Sequence, residues 1–139
     1  MMSSQNHTSI AFFIAVLIFV SSNAQAGRLD GKWISNPERT IQSMKEIGKI
    51  SDERVALFSN ILGDLKFNFT DSRMSASFLS DPSIAYDEIE FEVLVEDETS
   101  ILISYEIALF DKDTQMFHFS EDGDCIYLSH EAYRDYFCQ

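Results

Sequence analysis

The chain has 139 residues and a formal net charge of −13, from 23 acidic and 10 basic side chains. The charge is uneven, because residues 74–139 hold sixteen acidic residues and two basic ones. Such a surface repels nucleic acid and anionic lipid headgroups and favours cationic partners, so a nucleic-acid-binding function is excluded.

Residues 1–26 have the pattern of a cleavable export signal. Eleven apolar residues, 10–20, precede a short polar stretch and Ala24-Gln25-Ala26, which is an A-x-A cleavage site. The run is shorter than the about 20 apolar residues that cross a membrane, so we expect no permanent anchor. We predict cleavage before Gly27 and an exported, periplasmic or secreted, chain in which residues 27–139 form a single acidic α+β domain.

Two short helices are predicted at the start of this domain. Asn36-Pro37-Glu38 is a helix start, because Asn caps, Pro suits the first helical position and an acid favours the first turn. Ser51-Asp52-Glu53 begins a second helix in the same way, and Gly48 and Gly63 end the two helices. The predicted apolar faces are Ile41, Met44 and Ile47 in the first helix and Val55, Leu57, Phe58, Ile61 and Leu62 in the second.

After Gly63 the apolar period changes to two, which indicates antiparallel strands. The predicted strands cover about residues 65–70, 74–78, 88–96, 100–109, 116–120 and 125–129. The predicted fold is therefore α+β, with an N-terminal helical hairpin packed on a curved antiparallel β-meander of five or six strands.

The strand 88–96 has the clearest alternation. Ile89, Phe91, Val93 and Val95 are predicted to face the core, and Glu88, Glu90, Glu92 and Glu96 to face water. These four acids are the candidate binding residues for a cationic partner. The alternative, that they only keep the protein soluble, stays open.

Cys125 and Cys138 are the only cysteines. An even pair in a small exported domain predicts a disulfide, here one that ties the carboxyl-terminal tail to the last predicted strand.

The remaining polar residues form no recognisable catalytic or metal-binding pattern. The sequence has no G-x-S-x-G motif, no second His or Cys spaced to bind a metal with His118, and no EF-hand frame around its acidic turns. We expect a protein that is not an enzyme and carries no cofactor. Asn68-Phe69-Thr70 fits the glycosylation sequon, and whether Asn68 is modified stays open.

Gly31-Lys32-Trp33 places the only tryptophan in a G-x-W motif ahead of a run of antiparallel strands. In this respect the chain resembles the lipocalin-like families. The resemblance implies a cup-shaped sheet that binds a small apolar molecule. Such a pocket would be lined by residues such as Phe67, Phe91 and Tyr105. Two functions are thus open: an accessory domain that binds a cationic protein, and a lipocalin-like carrier of a small apolar ligand.

Overall fold

The computed structural model describes residues 27–139, which form a closed eight-stranded antiparallel β-barrel with two helices between its first and second strands. The strands are β1 (Gly31–Ser35), β2 (Leu65–Thr70), β3 (Arg73–Phe78), β4 (Ala85–Glu96), β5 (Ser100–Ala108), β6 (Asp111–Phe119), β7 (Cys125–Ser129) and β8 (Arg134–Cys138). The helices are α1 (Pro37–Ile47) and α2 (Asp52–Ser59). The predicted export signal, residues 1–26, lies outside the described residues.

The predicted fold class is wrong, because the sheet is a closed barrel and not an open meander of five or six strands under a helical hairpin. Both predicted helices and all six predicted strands exist, but β1 and β8 add two more. Each is five residues long, and neither is joined to a predicted strand by an Asp-Gly hairpin turn, as β7 is through Asp122-Gly123. Pairing of Ile34 with Cys138 and of Ser35 with Phe137 joins β1 to β8 and closes the barrel.

The helices begin where the sequence predicts, but only part of each predicted apolar face is buried. The side chains of Asn36 and Ser51 accept the capping hydrogen bonds, as the prediction required. The buried residues of α1 are Thr40, Ser43 and Met44, whereas Ile47 is exposed. In α2 only Val55 is buried, and Leu57 is exposed.

α1 continues the barrel wall beyond the end of β1. Its Thr40 Oγ1 accepts a hydrogen bond from the backbone N–H of Tyr136 at 3.0 Å, and its Ser43 Oγ accepts one from the N–H of Arg134 at 2.9 Å. The pairing of β1 with β8 stops at Ser35, so no strand lies beside these two groups. Two helical hydroxyls therefore satisfy backbone donors that a neighbouring strand would otherwise satisfy.

The floor of the barrel, meaning the end that carries residues 27–30 and the β4–β5 turn, is closed by side chains. Trp33 is buried and donates from Nε1 to the carbonyl oxygen of Leu29 at 2.7 Å. The Arg28 guanidinium donates to the carbonyl oxygen of Asp97 at 2.7 Å and lies 3.9 Å from the ring centre of Phe119. Above the floor is an aromatic and aliphatic core of Phe69, Phe91, Ile101, Ile103, Phe117, Ile126 and Phe137.

The disulfide prediction is confirmed. Cys125 and Cys138 are register partners on β7 and β8, bonded with a Cα–Cα distance of 4.1 Å. Across residues 27–139, neither helix has the length and apolar content needed to cross a membrane.

Candidate binding cavity and acidic face

β4 is a long strand that is bent by two β-bulges. One extra residue lies between Tyr86 and Ile89, against the Met74–Ala76 segment of β3, and another lies between Val93 and Val95, against β5. A bulge increases local twist and turns the following side chains relative to the sheet. These two bulges determine both the shape of the barrel wall and the direction of the acidic side chains.

β4 also changes its neighbour along its length. Residues 85–90 pair with β3, and residues 91–96 pair with β5, starting at Phe91 and Tyr105. Beyond that pair, residues 85–90 of β4 are not paired with residues 106–108 of β5. We call this gap in the barrel wall the slit.

An apolar cavity of about 380 Å³ lies at the slit. Its lining comes mostly from inward-facing side chains of β2, β3 and β4 and from the bulged residue of β5: Leu65, Phe67, Met74, Ala76, Tyr86, Ile89 and Ile107. Among the described residues, the charged ones in this lining are Asp87 and Glu106.

A second cavity of about 420 Å³, here called the vestibule, lies further along the slit. It shares Ile89 and Glu106 with the apolar cavity, so the two spaces adjoin. Phe91 and Tyr105 form its inner wall. Burial and the nearby Asp113 raise the pKa of the Tyr105 phenol.

The structure brings together the three residues expected to line an apolar pocket. Phe67 lines the apolar cavity, and Phe91 and Tyr105 line the vestibule beside it. All three belong to the core or pack against it.

The mouth of the barrel, formed by the β3–β4 loop and the β5–β6 turn, carries exposed apolar side chains: Leu79, Ile84, Tyr86, Ile107, Leu109 and Phe110. Leu109 is 83% exposed and Phe110 is 92% exposed at the tip of the β5–β6 turn. Phe110 has a φ of 65°, a left-handed conformation that bulky residues seldom adopt. Sequence reasoning missed this rim; its signal was a Leu-Phe pair where polar turn residues are usual.

Three of the four predicted acidic residues share the outer face of β4. Glu88 and Glu90 both lie beside one cation, with Arg73 nitrogens at 3.3 Å and 3.5 Å from their carboxylate oxygens. Glu92 is exposed on the same face. Arg73 therefore offsets part of the negative charge that was predicted to attract a partner.

The prediction for Glu96 is wrong. The bulge at residue 94 turns its side chain inward, where it is 3% exposed and lies 3.5 Å from the Arg28 guanidinium. Its Oε2 is buried without a hydrogen-bond partner among the described residues. The same bulge leaves Val95 exposed, although alternation placed it in the core.

A third, more polar groove of about 590 Å³ is lined by residues of α1, the β6–β7 turn, β7 and β8. Arg39 donates to the Asp122 carboxylate at 2.6 Å across one end, which lowers the pKa of Asp122 well below its usual range. On the neighbouring outer surface His118 stacks on Tyr127. Within residues 27–139, no three His, Cys, Asp or Glu side chains cluster as metal ligands.

No protein-family model, curated protein or solved structure matches the chain significantly. The chemistry of the cavity is therefore inferred from its own residues.

Proposed function

We propose that the mature domain is an exported binding protein that carries a small apolar ligand inside its barrel. The observation that supports this function best is the apolar cavity at the slit. Its volume of about 380 Å³ falls within the usual range of ligand pockets, about 300–1,000 Å³. Burial of a ligand's apolar surface there contributes about 25 cal/mol per Å² before the costs of association.

The position of the cavity supports the same function. The rim residues Tyr86 and Ile107 also line the cavity, so apolar surface runs from solvent into the barrel. Contiguous exposed apolar patches mark interaction sites on soluble proteins. In this proposal the domain works as lipocalin-like proteins do, with Trp33 on the floor and the ligand nearer the mouth.

The second candidate is an accessory domain that binds a cationic protein through the outer face of β4. The exposure of Glu90 and Glu92 favours it. The ion pairs of Arg73 and the inward position of Glu96 reduce the charge available there. We therefore rank this candidate below the carrier.

A titration with the neutral fluorescent probe N-phenyl-1-naphthylamine tests the carrier function. We expect saturable binding by residues 27–139 and its loss in Ala76→Phe, because the larger side chain fills the cavity. Ala56→Phe, on the exposed surface of α2, is the matched control and should bind as the parent does. Thermal unfolding of each variant checks that it folds.

Absence of saturable binding, or equal binding by a folded Ala76→Phe variant, would rule out the cavity as the ligand site.

A further inference from the structure

The apolar cavity has an acidic border. Asp87 on β4 and Glu106 on β5 lie on opposite sides of the slit, and both line the cavity. Both residues are exposed, and neither takes part in the ion pairs found within residues 27–139. Two carboxylates that form no ion pair within residues 27–139 therefore border an otherwise apolar space.

The vestibule adds to this negative field. It is lined by Glu90, Glu92 and Glu106, and its one basic residue is Lys112, the register partner of Glu106. Arg73 lies beside Glu90, which leaves Glu92 and Glu106 outside the ion pairs of the described barrel. Clefts lined by charge of one sign concentrate counter-ions.

We propose that the ligand is a cationic amphiphile, with its apolar part in the cavity and a protonated amine or quaternary ammonium group at the slit between Asp87 and Glu106. This inference rests on the proposed carrier function and adds the chemical class of the ligand. Cavity and border have complementary roles: the side chains of Phe67 and Ile89 take the apolar part, and the two carboxylates take the charge.

The charge of the head group should make a cationic amphiphile bind more tightly than anionic or neutral amphiphiles of the same chain length. A carboxylate head at the same position would face Asp87 and Glu106 and be repelled. A hydroxyl head would gain only the burial of its chain. The ammonium ion gains Coulomb attraction to the two carboxylates, which solvent reduces because both carboxylates are exposed.

The test compares decylamine, decanol and decanoate, which share one chain and differ in charge, by calorimetric titration at neutral pH. We expect decylamine to bind about tenfold more tightly than decanol, and decanoate to bind most weakly. High salt should reduce the advantage of the amine, because the border carboxylates are exposed to solvent.

The double variant Asp87→Asn, Glu106→Gln should bring decylamine to the affinity of decanol and leave decanol unchanged. Its matched control is Asp52→Asn, Glu53→Gln in the first turn of α2, which removes the same charge outside the cavity lining. The control should keep the preference for the amine.

Equal binding of amine and alcohol, tightest binding of decanoate, or the same loss in the control variant would overturn the inference while the carrier function stands. Failure of all three amphiphiles and of the neutral probe to bind would overturn both.

Discussion

The buried side chains of α1 show how far residue patterns predict this structure. Asn36 and Gly48 define both ends of the helix, because capping depends on local chemistry that the sequence states directly. The apolar pattern predicts Ile41, Met44 and Ile47 as the buried face. Burial of Thr40 and Ser43 was not predictable, because their partners belong to β8, more than ninety residues away in the sequence.

Replacement of Thr40 by Val should lower the free energy of unfolding by about 1–3 kcal/mol. Val matches the shape of Thr but cannot accept the hydrogen bond of the Tyr136 N–H, and an unsatisfied buried donor costs about that much. Urea unfolding measures the change. Thr40→Ser retains the hydroxyl and is the control, and equal stabilities of Thr40→Val and Thr40→Ser would contradict this role.

In β4, the alternation of apolar and acidic residues predicts the direction of some side chains correctly and of others wrongly. A period of two correctly places Ile89 and Phe91 inside and Glu90 and Glu92 outside. It fails at Glu96, because one bulged residue inverts every face that follows. Bulges have no strong signature in a single sequence, so the direction of Glu96 could not be derived.

Replacing Glu with Gln at positions 92 and 96 of β4 tests whether Glu92 faces water and Glu96 faces the barrel interior. Glu92→Gln should leave stability unchanged or raise it slightly at low salt, because it relieves repulsion on an exposed face. Glu96→Gln should lower the free energy of unfolding by about 1–2 kcal/mol, since it weakens a buried charge-assisted contact with Arg28. Denaturant unfolding of both variants decides, and an equal effect at the two positions would mean that Glu96 faces water.

Glu92→Gln also bears on the second candidate function. If a cationic protein docks on the acidic face, this substitution should slow its association without unfolding the barrel.

Barrel closure is the property of the whole molecule that local patterns could not predict. The sequence predicts six strands and two helices, but the two strands that complete the barrel come from opposite ends of the described chain. Their pairing covers only two register positions. The cavity could not be predicted either, because the slit depends on the residue at which β4 stops pairing with β3 and begins to pair with β5. Of its aromatic lining residues, Phe67 was predicted from the alternation of β2, whereas Tyr86 was not.

Loss of the disulfide should destabilise this closure. Replacing Cys125 and Cys138 with Ser should lower the free energy of unfolding by about 2–3 kcal/mol, as expected for a short closed loop. The bond fixes β8 to β7 beside the short seam with β1. Chemical denaturation of the variant should match that of the reduced parent, and a loss below about 0.5 kcal/mol would contradict the expectation.

The slit also exposes strand edges through which two copies of the barrel could pair. Residues 85–90 of β4 and 106–108 of β5 are not paired with each other, so each segment has one free edge. A strand from another molecule can pair with such an edge. Asp87, Glu90 and Glu106 lie on these segments, so an approaching second copy would bring its own carboxylates against them. Charges on edge strands are a common protection against edge-to-edge aggregation. Under the proposed carrier function, a substitution at the slit must therefore both suit the ligand and keep enough charge to oppose pairing between barrels.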